Sequence, residues 1–366
     1  MSVRLALVAA IVATVVAGAA ATARPSSTPC YGAAIVSART GKVLRKLFPT
    51  ETQVYDGVTD GHGGWYAAGG GLAHVRRDGS LDLAWHPTLR RALQDGTFAR
   101  VADRLFVSDG RRVFAVDAAS GRLLWSSAPA WARRPPAVTT LVATARRIYV
   151  GGGFTRFGSA RRGGVAALDP ATGRVLPWRA PPLLTEGASR IHVPGAAAKL
   201  ALSASRLYVV GAFTRLGAGS RRLRRRGVAA IRTSDGGVLG FVPHAQIVQP
   251  VFVATWRRLV LLACGARVGT CYSDTGVFDG RTGRPVHRFG FSQVLGAAAV
   301  AFAGSTAYLG SGPEGGFGGR FHLIAIDLRT GAYRPWFPTI TPLESTSSIA
   351  VSGDRVFVGG SYCRAA

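Results

Sequence analysis

An all-β repeat fold is predicted for this chain, and three observations predict it. A two-part phrase recurs seven times, glycine is abundant at 48 of 366 residues, and 48% of the residues are hydrophobic while 17% are charged. Such a composition supplies a large core and lacks the low hydrophobicity and high charge of a disordered chain. Frequent glycine between short β-branched runs marks many short strands joined by tight turns.

The first part of the phrase is a β-branched or aromatic run after a polar turn. It reads GGWYAAGG (63–70), DRLFVSDG (103–110), RRIYVGGG (146–153), SRLYVVGA (205–212), RRLVLLAC (257–264), STAYLGSG (305–312) and DRVFVGGS (354–361). The second part is an apolar strand, a turn ending in glycine and another short strand, as in VFAVDAASGRLLWSSAP (113–129) and VAALDPATGRVLPWRAP (165–181). Gly41, Gly79, Gly121, Gly173, Gly236, Gly283 and Gly331 end these turns, where a hairpin needs a positive φ. Asp117, Asp169, Asp279 and Asp327 open four of them, where a carboxylate can accept from the turn amides. A further strand precedes most first parts, such as AVTTLVAT (137–144). Four short strands per unit of about 40–60 residues is the pattern of a β-propeller blade.

The order of the parts predicts how the chain closes. It begins with an unpaired second part (33–49) and ends with an unpaired first part (347–361). Together they make one blade, which leaves no long exposed edge strand. The expectation is an all-β, seven-bladed β-propeller of four-stranded blades, closed by a composite blade built from residues 30–49 and 344–363.

Residues 1–23 carry Arg4, an apolar run from Leu5 to Ala21 and a small-x-small site at Ala21-Thr22-Ala23. That is the pattern of a cleaved secretory signal, so a secreted or extracytoplasmic single domain, 24–366, is expected, with no transmembrane segment after cleavage. In an oxidising compartment four cysteines imply two bridges. Cys264 ends a first part with Cys271 just before its second part; Cys363 ends the unpaired first part and Cys30 precedes the unpaired second part. The shared position predicts Cys264–Cys271 and Cys30–Cys363, the latter across the seam.

The net charge is +27, with 45 Lys and Arg against 18 Asp and Glu. Only three residues are lysine (Lys42, Lys46 and Lys199) and none is asparagine, the vocabulary of GC-rich coding. The charge still attracts anionic surfaces without reading sequence. It is densest in GSRRLRRRG (219–227), where Arg221, Arg222, Arg224, Arg225 and Arg226 form a candidate loop for an anionic ligand. No aromatic residue interleaves with them, which disfavours a single-stranded nucleic-acid platform; no specific nucleic acid is expected.

The segments VFAVDAASGRLLW and VAALDPATGRVLPW resemble the repeat of quinoprotein (PQQ-type) propellers, and VGGGFTRFG with LDPATGRVLPW is similar to the Delta-60 type repeat of secreted bacterial propellers. The resemblance implies the propeller fold and says little of activity, because the shared residues are structural. A quinone dehydrogenase of that kind would need Asn, Glu and Asp around calcium and a stacking Trp. Asparagine is absent, and Trp85, Trp125, Trp178 and Trp336 recur at one repeat position, which points to packing between blades. Hydrolysis needs paired carboxylates or a nucleophile with a base. Glu51, Asp56, Asp60, Glu186, Asp274, Glu314 and Glu344 lie outside the turns without forming a pair, and His62, His74, His86, His192, His244, His287 and His322 show no metal-ligand spacing. The expected function is a non-catalytic monomer without cofactor, serving as a binding or interaction scaffold for a protein or an anionic envelope polymer. The alternative is a propeller enzyme, quinone-dependent or hydrolytic, with its site in the central channel.

Overall fold

The computed structural model describes residues 31–47, 54–89, 93, 97–130, 138–186, 192–194, 196–217, 222–243, 250–264, 275–289, 297–311, 323–338, 340 and 345–362. Among these residues there is no helix; all regular structure is antiparallel β. Seven sheets carry the seven repeats. Sheet 1 is Asp56–Thr59, Trp65–Ala68 and Leu72–Val75. Sheet 2 is Phe98–Val101, Arg104–Ser108, Val113–Asp117 and Leu123–Ser127. Sheet 3 is Val138–Ala143, Ile148–Gly152 and Val165–Leu168. Sheet 4 is Ala196–Ser203, Arg206–Ala212 and Val228–Arg232.

Sheet 5 is Pro250–Trp256, Leu259–Cys264, Thr275–Asp279 and Pro285–Phe289. Sheet 6 is Ala297–Ala303, Thr306–Ser311, Leu323–Asp327 and Tyr333–Arg334. Sheet 7 draws on both ends of the chain, in the order Val43–Leu47, Tyr31–Ser37, Arg355–Tyr362, Ser345–Ser352. Ala33 pairs there with Gly359 and Ser37 with Arg355.

The expectation of four strands per sheet needs correction. Sheets 1, 3 and 4 have three, and their fourth is reduced to single bridges, Val75 to Leu81, Leu168 to Val175 and Ile231 to Val238. In sheet 3 the reason is local: Pro177, two residues beyond the bridge, has no N–H to extend the ladder. In sheet 1 Asp82 follows the bridge directly and turns back to His74 and Arg76.

Each sheet packs on the next through its own apolar cluster. Leu105 and Val107 meet Tyr66 and Trp85 between sheets 1 and 2, and Leu207 and Val209 meet Tyr149 and Trp178 between sheets 3 and 4. The series of seven clusters returns to its start: Phe357 and Ile35 of sheet 7 pack on Trp65 and Ala67 of sheet 1. The first strands follow the same order, each touching the first strands of the sheets before and after it, with that of sheet 7 against that of sheet 1.

The hairpin glycines have the predicted conformation, with φ between 69° and 86° in all seven. The Asp-led turns are built as expected. Asp169 Oδ1 accepts from the amides of Ala171 and Thr172 and from the Thr172 hydroxyl at 2.8–2.9 Å, and Asp279 does the same with Arg281 and Thr282 at 2.8–3.1 Å. Because strands alternate in direction, the hairpins joining strands 1–2 and 3–4 lie at one end of every sheet. The excursions between strands 2 and 3, and the connectors between sheets, lie at the other.

Candidate functional site

The residues that recur are consumed in joining one sheet to the next. The indoles of Trp85, Trp125, Trp178 and Trp336 donate to the carbonyls of Ala118, Pro170, Arg232 and Ser37 at 2.8–3.2 Å, each in the following sheet's hairpin. The hydroxyls of Tyr66, Tyr149, Tyr208 and Tyr308 do likewise, to Ala118, Thr233, Gly280 and Ala38, at 2.7–3.2 Å. A buried indole or phenol needs a partner for its polar atom, and here the partner is the neighbouring sheet. None of the four tryptophans is a free platform for a ring cofactor.

The first strands carry a polar relay. Asp56 Oδ2 accepts from the Phe98 amide (2.8 Å), Thr97 Oγ1 from Leu141 (3.2 Å) and Thr140 Oγ1 from Leu200 (3.1 Å), while the Ser348 hydroxyl donates to Asp56 Oδ1 (3.2 Å). Each bond crosses to the next sheet, in the order 7, 1, 2, 3, 4. Burial pushes the Asp56 carboxyl above the usual carboxylate range, against the lowering effect of Lys199 in sheet 4 and of its own hydrogen bonds. This is the carboxylate best placed for chemistry in the middle of the molecule, but both of its oxygens already accept protein hydrogen bonds.

A second polar cluster, which sequence spacing did not reveal, forms around His74. Its Nδ1 lies 3.0 Å from Asp82 Oδ2 and its Nε2 3.1 Å from Asp60 Oδ2, and the ring stacks on Tyr66 at 4.6 Å between centroids. Asp82 also accepts from Arg76 at 2.6 Å. For Asp60 burial is the largest influence and acts upward; the amides of His62 and Gly64 and the His74 ring outweigh it and hold the carboxyl below its ordinary value. The His74 bond likewise lowers Asp82. With both ring nitrogens engaged and the cluster wedged beside sheet 2, the arrangement braces sheet 1. Asp82 and Asp60 sit 8 and 14 residues from His74 along the chain; the Asp82 amide donates to the His74 carbonyl, and the first hairpin with the Tyr66–His74 pairing brings Asp60 to the ring.

The structure divides the predicted basic loop. Arg222, Arg224 and Arg226 are exposed, and Leu223 between them is 45% exposed. Arg225 turns inward instead, its guanidinium donating to the carbonyls of Arg224 (2.9 Å) and Leu239 (3.5 Å). Arg162 holds the same position one repeat earlier and is 6% exposed, donating to Arg161 (2.8 Å) and Leu176 (2.7 Å). Arg225 is therefore a structural residue rather than part of the rim. The loop is carried by a small four-stranded sheet, His192–Pro194, Leu183–Glu186, Arg215–Leu216 and Leu223–Arg224. A three-stranded counterpart, Pro129–Ala130, Arg156–Phe157 and Ala160–Arg161, stands at the same end of sheet 3.

Arg221, Cys30, Cys271, Cys363, Glu51, Asp274, Glu314, Glu344, His244 and His322 lie outside the described residues, as does the 1–23 segment. Cys264, Glu186 and His192 are placed in strands. His86 and His62 are exposed, and His287 approaches the Arg329 carbonyl of the next sheet at 3.2 Å. Among the described residues no helix is long and apolar enough to cross a membrane.

Comparison with known proteins places these features in a wider group. Residues 69–160, from the last strand of sheet 1 through sheet 2 to the first two strands of sheet 3, match the family model described as outer membrane protein assembly factor BamB. No curated protein sequence matches the chain. Among solved structures, the WD40 β-propeller domain of Doa1 aligns over 90% of this chain and 94% of its own, at 9% identity and a TM-score of 0.56. BamB from Moraxella catarrhalis aligns over 89% and 91%, at 16% identity and a TM-score of 0.47. The chain is a β-propeller, and its repeats resemble those of the PQQ-type propellers.

Proposed function

We propose that this propeller is a non-catalytic scaffold of the cell envelope that binds a protein partner through the loops at one end. The observation that carries the reading is the division of labour among its residues. The repeated Trp and Tyr are engaged in joining each sheet to the next and the repeated Asp in closing their own hairpins, whereas the excursion of sheet 4 presents Arg222, Leu223, Arg224 and Arg226 outward. An apolar side chain among exposed arginines suits the polar rim and apolar centre of a protein interface. The partial match to an outer membrane assembly factor supports an envelope location and a protein partner; an anionic polymer is the other ligand such a loop would attract.

The same reading takes the seven sheets as seven blades of one ring, with the blade of residues 30–49 and 344–363 closing it as a single domain over 24–366. It takes 1–23 as a cleaved export signal, the insertions of sheets 3 and 4 as Delta-60 type features, and the mature protein as a monomer. Tyr31 and Tyr362, the chain neighbours of Cys30 and Cys363, pair in sheet 7, an adjacency that supports the Cys30–Cys363 bridge, and Cys264–Cys271 is its counterpart in sheet 5.

The test is a triple variant, R222Q/R224Q/R226Q, which leaves the structural Arg225 intact. Co-sedimentation with isolated envelopes should weaken about tenfold, roughly 1.4 kcal/mol, with the melting temperature unchanged. Undiminished binding would reject this loop as the contact, and binding that salt abolishes for variant and parent alike would identify charge attraction alone.

A further inference from the structure

At the hairpin end of the molecule, opposite the basic loop, an open cleft of about 640 Å³ lies between sheets 4 and 5. Four arginines line it: Arg206 at the start of the second strand of sheet 4, Arg257 and Arg258 in the first hairpin of sheet 5, and Arg281 in its second hairpin. Arg257, Arg258 and Arg281 are exposed and Arg206 is half-buried. The rest of the wall is neutral, from Leu202, Ser203, Ala204, Tyr208, Thr255 and Gly280. Tyr208 and Ser203 are already engaged, donating to the carbonyls of Gly280 and Arg257. A nearby carboxylate, Asp279, feels Arg258, but its Oδ1 is held by the amides of its own turn and the Thr282 hydroxyl, which keep its carboxyl below the usual range.

Comparison with the other sheets shows what is unusual here. Arg104, Arg147 and Arg355 occupy the repeat position of Arg206, and each donates to a carbonyl in the next sheet's hairpin, at Pro170, Thr233 and Arg77. Arg206 makes no such bond to the described residues. The matching space between sheets 7 and 1 is smaller, about 260 Å³, and holds Asp354 beside its arginines. Arg257 is also distinctive. It occupies the first position of a two-residue hairpin with φ of 52°, where sheets 2 and 4 have Ala102 and Ala204 and sheets 6 and 7 have Gly304 and Gly353, so it alone of these places a charged side chain there. Its guanidinium lies 4.9 Å from the centre of the Trp256 ring, a contact that orients the arginine without neutralising it.

We propose that this cleft binds a multiply charged phosphate group of the diphosphate kind. Its volume is in the range of small-ligand sites, about 300–1,000 Å³. Guanidinium forks match phosphate oxygens two at a time, and converging cations in a shallow neutral wall favour a ligand that concentrates several negative charges in few atoms. The site is independent of the envelope-partner reading, because the cleft and the basic loop lie at opposite ends of sheet 4. The phosphate could come from a soluble diphosphate or from a lipid headgroup.

The experiment is calorimetric titration of the full mature chain with pyrophosphate at low and at physiological salt, with vesicle flotation on phosphatidic acid as a second arm. Pyrophosphate should bind with unit stoichiometry and persist at physiological salt. R206Q/R281Q should weaken it about tenfold or more, R257G should weaken it with the melting temperature kept within a few degrees of the parent's, and R222Q/R224Q/R226Q should leave it within about twofold. Loss of vesicle binding in R206Q/R281Q assigns the group to a lipid; vesicle binding unaffected by that change, beside lost pyrophosphate binding, assigns it to a soluble ligand. Equal weakening by the two variant sets, or no pyrophosphate binding at either salt, overturns the proposal and leaves the scaffold reading untouched.

Discussion

At the scale of the residue, His74 and Arg257 show how one side chain acquires meaning from its surroundings. His74 is bracketed by Asp60 and Asp82, and its replacement by Ala would bring two carboxylates together beside an apolar wall. A loss of about 1–3 kcal/mol at neutral pH is expected, because each carboxylate loses one hydrogen bond and Tyr66 loses its stacking partner. The sign with pH follows from the carboxyls, which the fold holds below their ordinary value. Their stabilisation is present above the unfolded carboxylate pKa and disappears as pH falls through the folded one. Chemical denaturation at pH 7 and pH 3 should therefore show the penalty of H74A shrinking on acidification; a constant penalty would mean that packing alone is lost.

Arg257 illustrates offsetting terms. A left-handed non-glycine residue costs roughly 1–2 kcal/mol, against about 0.5–1 for the Trp256 contact and 0.4–1 for the greater unfolded-state freedom of a glycine. R257G is therefore expected to melt within a few degrees of the parent.

At the scale of the element, the hairpin between strands 3 and 4 does two jobs with one glycine. Gly283 has φ of 74°, and a Cβ placed on it would lie 2.0 Å from the Val242 carbonyl oxygen at the end of the preceding repeat. Gly236 meets the Arg179 carbonyl in the same way. These glycines allow the turn and also allow two repeats to approach. Gly304, in the hairpin between strands 1 and 2 of sheet 6, has φ of 57°, and a Cβ added there would meet nothing within 4 Å. The two sites separate strain from contact: G304A should cost about 1–2 kcal/mol, and G283A at least 1–3 kcal/mol more, because backbone must move. Equal losses in thermal or denaturant unfolding would show that the inter-repeat contact is soft. The turn carboxylates add a common acid sensitivity. Asp117, through the Ser120 hydroxyl and amide, and Asp279, through the Thr282 amide, are held low. Their contribution is lost below about pH 4, while Asp56, held high by burial, acts in the opposite direction.

At the scale of the whole molecule, stability depends on a joint between chain ends. Sheet 7 sets residues 31–47 beside 345–362, and its core side chains Ile35 and Phe357 reach sheet 1 while Val36 and Val358 reach sheet 6. Deleting the first part of that sheet, up to residue 48, would expose an unpaired strand and two apolar faces. Such a truncation is expected to abolish cooperative unfolding or to aggregate. Replacing Cys30 and Cys363 by Ser should cost less, up to about 5 kcal/mol if the bridge forms, since it constrains a loop of more than 300 residues. A non-reducing peptide map that pairs Cys30 with Cys264 or Cys271 would refute the joint as proposed.

How much of this was legible in one sequence depends on the range of each interaction. The strands, the seven glycine-ended turns and the Asp-led hairpins were readable, because period-two patterning and a positive φ are local demands that only certain residues meet. The packing role of Trp85, Trp125, Trp178 and Trp336 was readable from their recurrence. The inward turn of Arg225 was not, because its decisive partner, the Leu239 carbonyl, lies 14 residues away. The cluster around His74 was hidden for the same reason, and so was the cleft, whose four arginines come from three hairpins of two sheets. The repeat and its turns are written in neighbouring residues and can be read from the chain alone. Whether a recurring arginine is tied down depends on the next sheet, whose hairpin carbonyls accept from Arg104 and Arg147 at Pro170 and Thr233 and leave Arg206 to line the cleft.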